Sequence, residues 1–245
     1  MSEKKISFTT VDSEEIHRFS KVAAEWWDEK GPFAPLHKLN PTRLRFIQQC
    51  LLQHFSSLEG IKILDIGCGG GLITEPLARL GAIVTGIDAS TETIQIATSH
   101  AALMNLPIAY KCISAEELAS EGVQFDVVLA LEIVEHVADI PTFLKTCTDL
   151  VKSEGAFILS TLNKTWKSYC AAIVAAEYIL GWVPKGTHDW NKFIPPSDIA
   201  RILRHYDFHI EALQGLEYSI LNDSWSLGNN LDVNYLAYCK KSFAR

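Results

Sequence analysis

From Ile61 onward the apolar and polar positions fall into two alternating regimes. Runs at 61–66, 82–87, 107–112, 125–131 and 155–161 read as strands, while segments at 71–80, 90–104, 114–120 and 140–152 read as helices. That alternation predicts an α/β fold, a parallel sheet with helices on both faces. Pro76 falls inside the first of these helices and interrupts its regularity. Upstream, Asp12-Ser13-Glu14-Glu15 makes a start resembling a capping box, and Ile16, Phe19, Val22, Ala23, Trp26 and Trp27 follow at helical spacing. Gly31-Pro32 ends that amphipathic helix, a connection containing Pro35 runs to Pro41, and a second helix is expected from Thr42 to about His54. The two helices form an N-terminal helical cap. After Thr161 the alternation breaks. A helical, aromatic-rich segment (164–183) and a Pro/Gly loop precede a helix at 196–205, and the runs at 208–216 and 233–239 are β-like.

Composition narrows the class. With 245 residues, 48% of them apolar, the chain can bury one substantial core, so one domain with additions is expected. A formal net charge of -7 argues against a nucleic-acid partner, which would need clustered Lys and Arg to neutralise phosphates. The six cysteines show no C-x-x-C pair and read as reduced thiols. Lys4 and Lys5 are followed by no apolar stretch of the secretory type, so the expected location is cytoplasmic.

The chemistry concentrates at Ile63–Leu72, an apolar strand running into Gly67-Cys68-Gly69-Gly70-Gly71 with Asp65 between them. A glycine-rich turn from strand to helix lets backbone approach a nucleotide closely. A dinucleotide would want a third glycine at the sixth position of the turn, which is Leu72 here, and its pyrophosphate would be repelled by Asp65. A ligand with ammonium and sulfonium charges is attracted instead, which makes Asp65, Gly67 and Gly69 candidate contacts. The β-type run 82–87 ends at Asp88, where a carboxylate can accept hydrogen bonds from both hydroxyls of a ribose; the alternative for Asp88 alone is a helix N-cap. After the third strand, Ser114-Ala115-Glu116 is either an adenine contact or a plain helix start.

Glu132, Glu135 and His136 follow the fourth strand at i, i+3, i+4 spacing, which puts them on one face if that segment is helical. Two carboxylates and an imidazole can hold a divalent cation; without a metal, His136 or one of the glutamates is the candidate general base. His188 is a second base candidate, or a residue that orders its loop.

Asp65 with Gly-x-Gly is the first motif of the class I methyltransferases, whose methyl donor is S-adenosylmethionine. Further stretches make the likeness more specific. These are Trp26-Trp27-Asp28, Pro35-Leu36-His37-Lys38-Leu39-Asn40-Pro41-Thr42-Arg43-Leu44, Glu132-Ile133-Val134-Glu135-His136-Val137, Ser160-Thr161-Leu162-Asn163, Ala176-Glu177-Tyr178-Ile179-Leu180, residues 183–189 and Asp232-Val233-Asn234-Tyr235. Over nearly its whole length the chain resembles the bacterial ubiquinone-biosynthesis O-methyltransferases. The resemblance implies a Rossmann-like, seven-stranded mixed sheet of order 3-2-1-4-5-7-6 with an antiparallel last strand. It also implies two O-methylations, one of a polyprenyl-hydroxyphenol and one of a demethylubiquinol. Arg43, Gly67, Asp88 and Leu131 match the family's donor-binding positions; read alone, Arg43 would be a solvated charge on a surface helix. The resemblance associates Glu132, Glu135 and His136 with magnesium, which would ligate the accepting hydroxyl and its ortho oxygen and favour the phenolate.

On this reading residues 1–245 form one methyltransferase domain: a cap at 1–56, a donor-binding core at 57–163, an aromatic insertion at 164–195 and a C-terminal helix with strands at 196–245. Trp166, Tyr169, Ile173, Tyr178 and Trp182, flanked by lysines, suit a segment lying peripherally on anionic membrane lipid, as a polyprenylated substrate would require; the alternative is a core helix lining the substrate pocket. Other ubiquinone-biosynthesis enzymes are candidate partners. Two other functions compete, an O-methyltransferase for another small phenol and a membrane-associated scaffold for quinone enzymes. Intact Asp65, Asp88 and the Glu/His set argue against the scaffold, which would not need them.

Overall fold

The computed structural model describes residues 9–170 and 190–242. Its centre is an eight-stranded sheet of β1 (Lys62–Ile66), β2 (Ile83–Asp88), β3 (Ala109–Cys112), β4 (Phe125–Leu131), β5 (Val151–Leu162), β6 (Phe208–Ser219), β7 (Ser224–Gly228) and β8 (Asn234–Lys241), in the order β3-β2-β1-β4-β5-β8-β6-β7. The first five strands are parallel, and β8 runs antiparallel between β5 and β6. The implied order is therefore present, with β7 added at the edge as the hairpin partner of β6. Sequence patterning misses β7 because it is short and only Trp225 and Leu227 pack inward.

Period-two alternation builds the two sides of the core. Leu64, Val128, Ala130, Phe157, Leu159, Tyr235 and Ala237 face one side, where Leu118 of α5 (Ala115–Ser120), Phe143 and Leu144 of α6 (Ile140–Asp149), and Ile199 and Leu203 of α8 (Pro196–Arg204) cover them. Ile63, Val127, Leu129, Ile158, Leu236 and Tyr238 face the other, against Phe46, Ile47 and Leu51 of α2 (Ala34–His54) and Leu77 of α3 (Thr74–Arg79). Helices thus cover both faces, and the strands between them read as nearly continuous apolar runs.

Helix starts explain the differences from expectation. α2 begins at Ala34 rather than Thr42, because Pro35 sits in the first turn, where the missing N–H has no helical partner, and Pro41 is accommodated inside. Pro76 causes no break because α3 begins only at Thr74, which places the proline in its first turn. The N-terminal helix α1 (Ser13–Ser20) is shorter than its apolar spacing suggests; a 3-10 turn at Ala23–Glu25 then carries the chain into the two tryptophans. α4 (Thr91–Leu103) is capped by Ser90, whose side chain accepts from the Thr93 amide. Asp88 is therefore not that helix's N-cap. A helical start at α7 (Trp166–Ser168) is capped by Thr165, and most of the aromatic segment beyond it, with His188, lies outside the described residues. Among the described residues no helix is long and apolar enough to cross a membrane.

Candidate active site

A cavity of about 330 Å³ opens at the C-terminal ends of β1, β2 and β4, the edge where ligands of open α/β sheets bind. Arg43, Asp65, Gly67, Asp88, Ala115, Leu131, Glu132, Glu135 and His136 all line it. Gly69 is the expected contact that does not. Its φ of +54° favours glycine, and a Cβ there would lie 2.0 Å from Cζ2 of Trp26, whose indole covers the turn. Trp27 adds a second clamp. Its Nε1 donates to the Gly70 carbonyl at 3.0 Å, and its ring stacks on His100 at 3.5 Å between centroids. His100 in turn meets the buried Glu75 at 2.6 Å.

The two acids of the glycine turn and the second strand are both buried in the cavity wall. Asp65 is 3% exposed and accepts from Thr74 Oγ1 at 2.7 Å. Burial, reinforced by the charge of Asp88, pushes its pKa up to about 7. Asp88 accepts from the amides of Gly69 at 3.1 Å and Ser90 at 2.9 Å, and burial raises its pKa as well. Glu116, on the helix start after β3, accepts from Thr10 Oγ1 through one carboxylate oxygen, while the other is buried with no hydrogen-bond partner. The short run Ser114-Ala115-Glu116 points to that region, although Ser114 also forms a capping box with Glu117.

Arg43, only 4% exposed, projects from α2. Its Nη1 donates to Asn40 Oδ1 at 3.2 Å and its Nη2 lies 3.0 Å from Glu132 Oε1, yet Nε and Nη2 make no hydrogen bond. Burying donors of a guanidinium in this way costs free energy that an anionic ligand group would recover. Trp26 Nε1 is likewise buried without a hydrogen-bond partner.

Beyond β4 the chain does not continue as an α-helix. Glu132 adopts φ +53°, fixed by its amide donating to the Ser160 carbonyl at 3.0 Å and by Ser160 Oγ donating to Glu132 Oε1 at 2.8 Å. A 3-10 turn at Val134–His136 follows. The helical premise for grouping Glu132, Glu135 and His136 on one face therefore fails. Glu132 is paired with Arg43, Glu135 accepts from Thr161 Oγ1 at 2.7 Å, and His136 Nδ1 meets Glu15 Oε2 at 3.0 Å. Among the described residues no group of three or more ligating side chains is arranged to hold a metal ion, so the expected magnesium set does not fit this arrangement. Burial, with the charge of Glu132, pushes Glu135 up to about 7. For His136 burial works downward, but the hydrogen bond to Glu15 and the charges of Glu135, Glu15 and Glu132 outweigh it and raise the pKa.

Glu15 is the site residue that sequence reasoning missed. In sequence it reads as part of the helix start, and nothing local connects it with a histidine 121 positions away.

Comparison with known proteins agrees with this geometry. A methyltransferase-domain family matches residues 36–213. The ubiquinone biosynthesis O-methyltransferase of Bartonella quintana is 48% identical over 240 residues, covering 95% of this chain and 97% of its own. The mitochondrial enzyme of that name from Arabidopsis thaliana is 45% identical over 244 residues, covering 96% of this chain and 76% of its own. Among solved structures, the magnesium protoporphyrin IX methyltransferase of Synechocystis with bound SAH has a TM-score of 0.64 at 19% identity, covering 94% of each chain, which speaks to the fold. With a class I methyltransferase sheet and an acid-lined cleft at its carboxyl edge, the chain belongs to the ubiquinone biosynthesis O-methyltransferase family.

Proposed function

We propose that the chain transfers the methyl group of S-adenosylmethionine to a ring hydroxyl of a polyprenylated phenol or quinol. The observation that carries this reading is the pairing, in one cavity, of buried acids suited to a cationic donor with the unsatisfied guanidinium donors of Arg43. Asp65 faces the ammonium of the donor, Arg43 takes its carboxylate, Asp88 its ribose, and the free oxygen of Glu116 the adenine amino group beside Ala115. Gly67 and Leu131 shape the floor. Gly69 acts indirectly, by admitting Trp26 above the turn and donating to Asp88.

The reaction is an in-line displacement. The hydroxyl proton passes to His136, the resulting phenolate oxygen bonds to the methyl carbon, and the carbon–sulfur bond breaks with its electron pair left on sulfur. Negative neighbours that raise the imidazole's pKa make it a stronger base. Most of the acceleration comes from holding the two reactants in line. No step is drawn through a metal, because Glu132, Glu135 and His136 are each engaged elsewhere.

The division at 1–56, 57–163, 164–195 and 196–245 serves this reading as one catalytic unit. Peripheral attachment to membrane lipid is part of it. Trp166 is 74% exposed beside Lys167, while Ile173, Tyr178 and Trp182 lie outside the described residues. The test supplies labelled S-adenosylmethionine and a short-prenyl demethylated quinol, with and without EDTA. Label appearing on the ring oxygen is expected. Transfer only to unprenylated catechols would favour another phenol as substrate, and no transfer to either would overturn the reading. The EDTA arm shows whether turnover depends on a divalent cation.

A further inference from the structure

The methyltransferase-domain match begins at residue 36, after α1. Yet α1 supplies a wall of the cavity through Glu15, Ile16 and Arg18. Glu15 does more than line it. Its Oε2 meets His136 Nδ1 at 3.0 Å, and its Oε1 pairs with Arg18 Nη1 at 3.2 Å. The side chains of Glu15 and His136 are 15% and 12% exposed. The Glu15 carboxylate can accept an N–H from His136 Nδ1.

We propose that Glu15 is a positioning residue for methyl transfer: from the N-terminal helix it fixes the ring orientation and tautomer of His136, with the proton on Nδ1. This rests on the reading above in which His136 accepts the hydroxyl proton. An imidazole whose Nδ1 is committed to a carboxylate exchanges its catalytic proton through Nε2, and the same carboxylate stabilises the imidazolium that results. The carboxylate comes from α1, so the N-terminal helix completes the site. The segment is further fastened by Ser20 Oγ to Ser90 Oγ at 2.8 Å and by the Ala138 amide donating to the Thr10 carbonyl at 2.8 Å.

The full-length chain tests this through Glu15→Gln and Glu15→Asp, with Ser20→Ala as a variant that loosens α1 elsewhere. Glu15→Gln should lower kcat on a water-soluble short-prenyl catechol by roughly 10- to 100-fold, with KM for the acceptor and calorimetric affinity for S-adenosylmethionine little changed. Glu15→Asp should recover part of the loss, and Ser20→Ala should retain the parent kcat. Nitrogen-15 NMR of the His136 ring should find the proton on Nδ1 in the parent and its signature lost in Glu15→Gln. An unchanged ring signature overturns the proposal, as does a KM effect without a kcat effect, or an equal kcat loss in Ser20→Ala. Absence of transfer by the parent would instead sink the methyltransferase reading, and the NMR result would still decide whether Glu15 sets the tautomer.

Discussion

Asp65 makes donor affinity a function of pH. Its pKa is pushed up to about 7 because it is buried beside Asp88, while Thr74 and Arg43 pull the other way. An ammonium group placed against it favours the ionised form, so binding lowers this pKa and expels a proton wherever the free protein still holds one. The sign follows: affinity rises with pH through about 7 and levels off above. At about pH 6 roughly one site in eleven is ionised, so the dissociation constant should be about tenfold weaker than at about pH 8, a difference of about 1.4 kcal/mol. Calorimetry in two buffers of different ionisation enthalpy would measure both the affinity and the proton released. Asp65→Asn should flatten the profile and weaken binding at high pH by about 1.5–3 kcal/mol, the worth of a charge-assisted contact. Thr74→Val removes the hydrogen bond that favours ionisation, so its profile should shift to higher pH. Parent affinity that is flat from about pH 6 to 8, or a slope that survives in Asp65→Asn, would refute the reasoning and direct attention to Asp88.

Other substitutions probe separate parts of the structure. Arg43→Ala should weaken S-adenosylmethionine by about 1.5–3 kcal/mol in calorimetry while sparing 5′-methylthioadenosine, which lacks the carboxylate. Gly69→Ala must place a methyl 2.0 Å from the Trp26 ring at φ +54°, so the indole has to leave the turn; donor affinity should fall, with a stability loss of about 1–3 kcal/mol in urea denaturation. Phe157→Ala empties a fully buried site in the sheet and should cost about 3–5 kcal/mol by the same measurement, with residual activity at low temperature.

What the sequence made legible was whatever is encoded within a few residues. The glycine turn and its flanking acids announce themselves because strand, turn and carboxylate are contiguous, and Asp65 and Asp88 both reach the cavity. The alternation of strand-like and helix-like segments from residue 61 to 161 makes the parallel sheet legible in the same way. The Glu132–His136 run is equally contiguous, but its spacing does not disclose its geometry. Spacing assumes a helix, whereas the Ser160 contacts hold Glu132 in a left-handed conformation and start a 3-10 turn. Long-range partners were invisible. Neither Glu15 on His136 nor Trp26 on Gly69 leaves a periodic trace, since each joins the cap to a motif far along the chain. A second acid beyond what the helix start needed, and two tryptophans in succession, were the available hints.

The indole of Trp26 on Gly69 and Gly70, with Trp27 anchored on the Gly70 carbonyl, also governs how such a chain can be recombined. The glycine turn is shared by many methyltransferases, which suggests that cap and core could be exchanged as cassettes. The contact forbids it. A core transplanted without its cap would expose a turn shaped to receive an aromatic ring, and a foreign cap would have to bring a ring of matching shape to the same place. Chimeras that change acceptor preference should therefore carry residues 9–54 together with 67–71, with Glu75 and His100 kept beneath Trp27, as one heritable block.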